Sequence, residues 1–200
     1  MLTSIQFPRF YPGAAPRSRR GAGRGRMLSV AALAGAAVLS WGADARASET
    51  QLGLDADLAF PLDEVEVDSG AGFNGRIGQR LDLMLLTLTP EVSGGYYTFG
   101  GQTEPKVYRG LLGARLGLGA VVRAVAFAHA GVGHASFDVP STVEDPGRTA
   151  FAYDAGLALD FTLLPLLDVG VHGAYNSIGG NDAAGAFDWA TAGVNVELVF

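Results

Sequence analysis

Two residues near the middle of the chain, His134 and Ser136, have the types and spacing of a hydrolytic pair. They are separated by one residue in the stretch GHASF. A histidine can take the proton of a serine hydroxyl that attacks a carbonyl, and a carboxylate can orient the histidine. Glu144 or Asp138 would supply that carboxylate. The chemistry to consider is therefore ester or amide hydrolysis.

Two other groups have the residue types of metal ligands without the spacing. The acidic segment DEVEVD contains Asp63, Glu64, Glu66 and Asp68. Its carboxylates would suit Ca²⁺, but the segment has no EF-hand spacing, and a solvated acidic loop is favoured. His129 and His172 are not accompanied by further ligands at short spacing, which favours packed interior histidines. We therefore predict no metal site and no cofactor.

The beginning of the chain has the layout of a secretory signal peptide. The basic stretch RSRRGAGRGR precedes an apolar core at residues 27–42, and Ala45-Arg46-Ala47 offers a processing site. The apolar core falls short of the roughly 18 residues that a membrane-spanning helix needs. We predict cleavage after Ala47, so that residues 1–47 are a signal peptide and residues 48–200 form one mature domain.

Composition restricts the class of protein further. The chain has 29 glycines, 48% hydrophobic residues and 17% charged residues, whereas about a quarter of the residues of a soluble domain are charged. The net charge is −6, and half of the basic residues precede Ser48, so the mature chain has no basic footprint for nucleic acid. The absence of cysteine from the sequence excludes disulfides and a lipid-modified cysteine.

Alternation of apolar and polar residues recurs eight times after residue 48. In QLGLDADLAF, for example, Leu54 and Leu58 fall on one face and Asp55 and Asp57 on the other, which is the period of a half-buried strand. The last alternating segment runs from about Phe187 to Phe200. In one segment, VRAVAFAHAGVGHASF, alanine and glycine leave the facing ambiguous.

The connections between these segments also alternate. PLDEVEVDSG, GGQTEPK, DVPSTVEDPGR and GGNDAAG are polar, whereas the intervening turns near LMLLT, GAVV and TLLPLLD are short and apolar. Long loops at one end and tight turns at the other are typical of a transmembrane β-barrel, which must close because lipid satisfies no backbone group. We therefore predict an all-β fold: a closed, antiparallel, eight-stranded transmembrane β-barrel with its apolar face towards lipid.

The charged face of the predicted strands would then line the barrel. An interior of eight strands is just wide enough for side chains to fill, and opposed charges are accommodated there when they pair. The predicted interior network is Asp55, Asp57, Arg76, Arg80, Asp82, Glu91, Arg109, Arg115, Asp154, Asp160 and Glu197. Such crowding predicts no wide diffusion pore, and the excess of acids predicts that any leak favours cations.

The chain ends in AGVNVELVF, with Val194, Val196, Leu198 and Phe200 at alternate positions. This ending resembles the C-terminal sorting strand of the small bacterial outer-membrane barrels of the OmpA/OmpX type. The resemblance implies a location in the outer membrane, contacts with its lipids, recognition by the barrel assembly machinery, and a monomer.

The sequence indicates a compartment more specifically than it indicates a function. The favoured hypothesis is a non-enzymatic barrel with a structural, adhesive or small-solute binding or permeation role. The alternative is a membrane-embedded hydrolase, because His134 and Ser136 resemble the His-x-Ser pair of outer-membrane lipid A deacylases. Phe137 and Val139 replace the further polar motif of that family. A soluble lipocalin-like carrier is a third hypothesis, and the expected outward apolar face argues against it.

Overall fold

The structure is a computed structural model, and it describes residues 48–62, 67–101, 104–136, 147–180 and 185–200. Its eight strands are β1 Ser48–Pro61, β2 Val67–Leu83, β3 Leu86–Gly101, β4 Lys106–Gly119, β5 Val122–Ser136, β6 Arg148–Leu164, β7 Leu167–Ile178 and β8 Phe187–Val199. The predicted signal peptide at residues 1–47 lies outside the described residues.

The eight strands form one closed barrel in which each strand pairs antiparallel with its neighbour in the sequence. The seam joins β1 to β8, from the pair Gln51–Val199 to the pair Pro61–Trp189. Beyond the regular ladder, the Thr50 amide donates to the Phe200 carbonyl at 2.7 Å, and the Phe200 amide donates to the Thr50 carbonyl at 2.9 Å. The predicted closed, antiparallel, eight-stranded fold is confirmed, and its pairing extends to the final residue.

The barrel has two distinct ends. At one end, which we call the turn end, consecutive strands are connected by short turns at residues 84–85, 120–121 and 165–166. The hydrogen-bonded residues Thr50 and Phe200 lie at the same end. Gly119 has a φ of 126°, and a Cβ there would collide with the Val122 carbonyl, so this turn requires glycine. The other end, the loop end, carries the four longer connections. Both sets of connections alternate as the sequence predicts.

The two faces of the sheet differ in chemistry. Outward side chains include Leu54, Leu58, Phe73 and Leu157, each at least 60% exposed, whereas Glu91, Asp160 and Glu197 are at most 1% exposed. A continuous apolar exterior around a charged interior is the reverse of a soluble carrier, and it suits a hydrocarbon environment. Within the described ranges, no helix is long and apolar enough to cross a membrane.

Candidate functional site

The centre of the barrel interior is organised around Arg76 of β2. Its guanidinium contacts the carboxylates of Asp55 from β1 and Glu197 from β8, so it ties the seam strands together. A third carboxylate, Glu91 of β3, lies 3.7 Å from Arg76 Nε. The Gly53 position leaves room for this side chain, since a Cβ there would stand 2.6 Å from Arg76 Nε. Arg76 is thus shared among carboxylates from three strands.

A second charged group lies closer to the turn end. Arg115 Nη2 is 3.2 Å from Asp160 and 3.1 Å from Glu197, which connects this group to Arg76 through a common carboxylate. Arg123 Nη2 lies 2.7 Å from Asp168. Both Arg123 and Asp168 are buried, so the network reaches beyond the residues that the sequence indicates.

Sequence reasoning missed Arg123 and Asp168 for different reasons. Arg123 opens the alanine- and glycine-rich β5, whose facing the pattern leaves ambiguous. Asp168 falls where the apolar turn meets the next alternating segment, so the pattern gives it no face, whereas β7 begins at Leu167 and the Asp168 side chain is buried. The strand bounds of the structure set both facings and bring Arg123 of β5 and Asp168 of β7 together inside the barrel.

The mouth of the interior at the turn end is formed by Arg80 and its partners. Arg80 Nε lies 3.0 Å from Asp82, and Arg80 Nη1 lies 3.4 Å from Asp168. The Asp82 side chain is 40% exposed and accepts a hydrogen bond from Thr87 at 3.1 Å. Asp82 therefore sits at the rim of the barrel, whereas the sequence placed it inside.

Two histidines extend the network towards the loop end. His129 Nδ1 lies 2.6 Å from Asp154, and His129 Nε2 lies 2.9 Å from Glu91. His172 Nε2 lies 2.6 Å from Asp57. A Cβ at Gly193 would collide with the Asp57 carboxylate, so the missing side chain makes space for this pair. The described residues include no group of three or more side chains suited to hold a metal ion.

Arg109 lies between the histidines and the aromatic residues nearer the loop end. Its guanidinium lies 3.1 Å from Asp154, donates to the Tyr97 hydroxyl at 3.0 Å and contacts the Asn176 side-chain oxygen. The same group stacks on the Tyr97 ring at 4.9 Å and the Trp189 ring at 5.9 Å, as cation–π pairs do. Charged and aromatic layers therefore meet at Arg109.

An apolar plug closes the interior at the loop end. We define the plug as Tyr97, Phe99, Ile178, Phe187 and Trp189, which are at most 3% exposed. Its rings pack edge to face or tilted, with centroids 5.2 Å apart for Phe99 and Phe187 and 5.6 Å apart for Tyr97 and Trp189. The alternating pattern did not reveal the plug, because it marks polar residues as interior and the plug is an apolar set on that same face.

Little open space remains inside the described part of the barrel. The larger cavity, of about 20 Å³, lies among Asp55, Arg76, Arg109, Arg115, His129 and His172 and their neighbours. A smaller one of about 10 Å³ lies at the turn end, beside Arg80 and Arg123. A cavity needs at least about 10–15 Å³ to accommodate one water, so each of these cavities has room for about one. The interior is a filled core.

The candidate hydrolytic pair lies outside this interior, at the loop end of β5. His134 Nδ1 is 3.0 Å from the Thr149 hydroxyl, and the Ser136 hydroxyl donates to the Lys106 carbonyl at 3.5 Å. Neither contact joins His134 to Ser136. The candidate orienting residues Glu144 and Asp138 lie outside the described residues, as do Asp63, Glu64 and Glu66 of the acidic segment; Asp68 belongs to β2.

The terminal strand presents its alternating apolar residues outward. Val194, Val196, Leu198 and Phe200 are between 45% and 68% exposed, while Glu197 on the opposite face is fully buried. The proposed sorting residues therefore form an exposed apolar stripe on the outer face of β8, beside the seam. This stripe is accessible to lipid or to another protein.

Comparison with known proteins gives relatives in structure only. No family model matches the chain, and no curated protein matches it. The crystal structure of Neisserial surface protein A (NspA) is similar with a TM-score of 0.56 and 18% identity, covering 78% of this chain and 100% of that one.

Two further solved structures bear on the comparison. Ail, the attachment invasion locus protein of Yersinia pestis, has a TM-score of 0.52 and 15% identity, with coverage of 78% and 100%. The outer-membrane enzyme PagL has 16% identity, covers 73% of this chain and 98% of that one, and reaches a TM-score of only 0.49, too low to bear on activity. The closed barrel and its likeness to NspA and Ail confirm the expected fold: the chain is a closed, antiparallel, eight-stranded β-barrel of the architecture that these outer-membrane proteins have.

Proposed function

We propose that this protein is a non-enzymatic outer-membrane scaffold, which holds its four loop-end connections on a rigid, sealed barrel and acts through them. The observation that carries the proposal is the filled interior. Among the described residues, the cavities of about 20 and 10 Å³ leave little room for a solute, and the plug covers the loop end. Among the roles open from the sequence, a structural or adhesive role therefore fits better than permeation.

The rigidity of the barrel supports such a role. Binding residues are commonly carried on loops that a stable framework positions, and here buried ion pairs connect strands that are not neighbours. Arg76 of β2 contacts Glu197 of β8, and Arg115 of β4 contacts the same carboxylate from the opposite side of the barrel. The name of Ail refers to attachment, and by analogy an attachment role is the more specific form of this proposal.

The sealed interior is tested by planar-bilayer recording of the refolded chain 48–200. We expect no resolvable unitary conductance, because buried side chains occupy most of the described interior. A general porin refolded into the same bilayer is the positive control. Large, stable current steps from the purified monomer would contradict the proposal. A small leak that is selective for cations would agree with the acidic interior, but it would show that the plug does not close the barrel.

The attachment role is tested separately in cells. The connection at residues 137–146 is replaced by a glycine-serine segment of equal length, and attachment to cultured cells is compared with that of the unmodified protein and of cells lacking it. We expect attachment to fall in the variant while heat-modifiable migration of the barrel in gels is retained. Equal attachment by cells with and without the unmodified protein would contradict an adhesive role.

No contact in the described residues favours the hydrolase alternative, since His134 and Ser136 have separate partners. Its direct test is hydrolysis of purified lipid A by the refolded chain, with Ser136→Ala as the control. We expect no release of acyl chains by either protein. Release by the unmodified chain that is lost in the Ser136→Ala variant would establish the enzymatic function instead.

A further inference from the structure

His129 is held between two carboxylates. Its Nδ1 lies 2.6 Å from Asp154 Oδ1, and its Nε2 lies 2.9 Å from Glu91 Oε1. A neutral imidazole carries one N–H and one lone pair, whereas an imidazolium carries two N–H groups. Both contacts are hydrogen bonds to ionised carboxylates only when the ring carries two protons; otherwise a lone pair would face a carboxylate, or a carboxyl group would hold the proton.

His172 stands in a related position beside Asp57. Its Nε2 lies 2.6 Å from Asp57 Oδ1, and the other oxygen of the same carboxylate accepts the Tyr97 hydroxyl at 2.8 Å. Among the described residues, no arginine lies within ion-pair distance of Asp57, so His172 is the group there that can supply its countercharge. Asp57 is buried, and a buried carboxylate without a cation is costly.

The charges of the whole interior point the same way. Seven buried carboxylates line it: Asp55, Asp57, Glu91, Asp154, Asp160, Asp168 and Glu197. Four arginines are buried with them, namely Arg76, Arg109, Arg115 and Arg123. Arg80 adds a fifth positive charge at the mouth, which it shares with the exposed Asp82. Even with Arg80 counted, two carboxylates have no cation, and two protonated histidines would supply the missing charges.

The neighbours of each histidine come from most of the barrel. The cavity that both histidines line is also lined by these charged and titratable groups: Asp55 and Asp57 of β1, Arg76 of β2, Glu91 and Tyr97 of β3, Arg109 and Arg115 of β4, and Asp154 of β6. The arginines oppose protonation, but each already contacts a carboxylate: Arg76 contacts Asp55, Arg109 contacts Asp154 and Arg115 contacts Asp160. The arginines therefore leave the charge of Asp57 to His172.

We propose that His129 and His172 are imidazolium counter-ions that complete the interior charge balance, so that the barrel weakens as rising pH removes their protons. The unfolded chain releases these protons near the ordinary histidine range, about pH 6.5, while the folded barrel retains them to higher pH. The stabilisation is fully present below that range and is lost as the pH rises through the range in which the folded barrel releases the protons. The inference concerns the barrel itself and does not depend on the attachment role.

The protonation state is measured directly on the unmodified chain. The refolded protein, labelled with ¹⁵N in its histidines, is placed in detergent micelles, and the ring nitrogens are observed by NMR across the neutral and mildly alkaline range. The chain has three histidines, and His134, on the outer face of β5, is the internal control. We expect two rings with both nitrogens protonated at about pH 8, where an unperturbed imidazole is neutral. Neutral rings at both interior positions would overturn the proposal.

The effect on stability is measured by urea unfolding in the same micelles at about pH 7 and at about one unit higher. Each retained proton makes the unfolding equilibrium constant rise by up to about tenfold per pH unit, so the two histidines together give up to about a hundredfold. We expect His172→Gln to reduce this pH dependence to about tenfold, and the matched control His134→Gln to leave it unchanged. Equal pH dependence in all three proteins would contradict the proposal.

Discussion

Replacing Arg76 by methionine should be one of the most destabilising single changes to the barrel interior. Methionine retains much of the length of the arginine side chain but removes its charge. Arg76 is buried and contacts two carboxylates from the seam strands, Asp55 and Glu197. Removing one partner of a buried ion pair costs about 3–5 kcal/mol, because the other charge remains buried and uncompensated.

The matched control is Arg80→Met at the turn end. The Arg80 side chain is 16% exposed, and its partner Asp82 is 40% exposed, so water can solvate the Asp82 carboxylate after the substitution. Its other partner, the buried Asp168, keeps Arg123 at 2.7 Å. Ion pairs accessible to solvent contribute about 0–1 kcal/mol. We therefore expect the free energy of unfolding to fall by several times more in Arg76→Met than in Arg80→Met.

The assay is reversible urea unfolding of the chain 48–200 in phospholipid vesicles. Trp189 is the only tryptophan after residue 47 and is fully buried in the plug, so its fluorescence reports the interior directly. If stranded carboxylates cause the loss, then Glu197→Gln should destabilise less in the Arg76→Met background than in the unmodified chain. Losses that differ by less than about 0.5 kcal/mol between Arg76→Met and Arg80→Met would refute the reasoning.

Three further outcomes follow from the sequence and the seam. Deleting Phe200 removes both backbone hydrogen bonds to Thr50 and the last outward aromatic residue, so the amount of barrel in the outer membrane should fall; Val194→Ala is the control, and equal levels would contradict a sorting role. Mass spectrometry of the exported chain should find Ser48 at its N-terminus, and retention of residues 27–42 would contradict cleavage there. Chemical shifts should change little in Ser136→Ala, and widespread changes would show that Ser136 has a structural role.

The fold could be predicted from the sequence because its determinants are local. Lipid imposes one rule on every strand, apolar outward, and Leu54, Phe73 and Leu157 follow that rule at a period of two. The connections then identify the two ends. Closure needs no additional signal, since a sheet with free edges cannot be satisfied in hydrocarbon.

The interior could be predicted only in part because its pairs join residues that are far apart in sequence. Arg76 and Glu197 are separated by 121 positions, and no local pattern indicates that they meet. The pattern also treats all inward positions as polar, so it could not predict an apolar plug made of Phe99, Phe187 and Trp189. The shared carboxylate of Glu197, which Arg76 and Arg115 both contact, likewise emerges only once the register is known.

The plug lies between the loop end and the charged interior of the barrel. Ion pairs below the plug are shielded from solvent at the loop end, because the plug residues are buried there and Arg109 contacts the Tyr97 and Trp189 rings of the plug. Loosening the plug would admit water to Asp154 and His129, which would weaken the very pairs that hold neighbouring strands together. The packing of the plug therefore contributes to the stability of the barrel as well as closing its interior. We expect changes in the loop-end connections to leave the barrel stable as long as the plug remains packed.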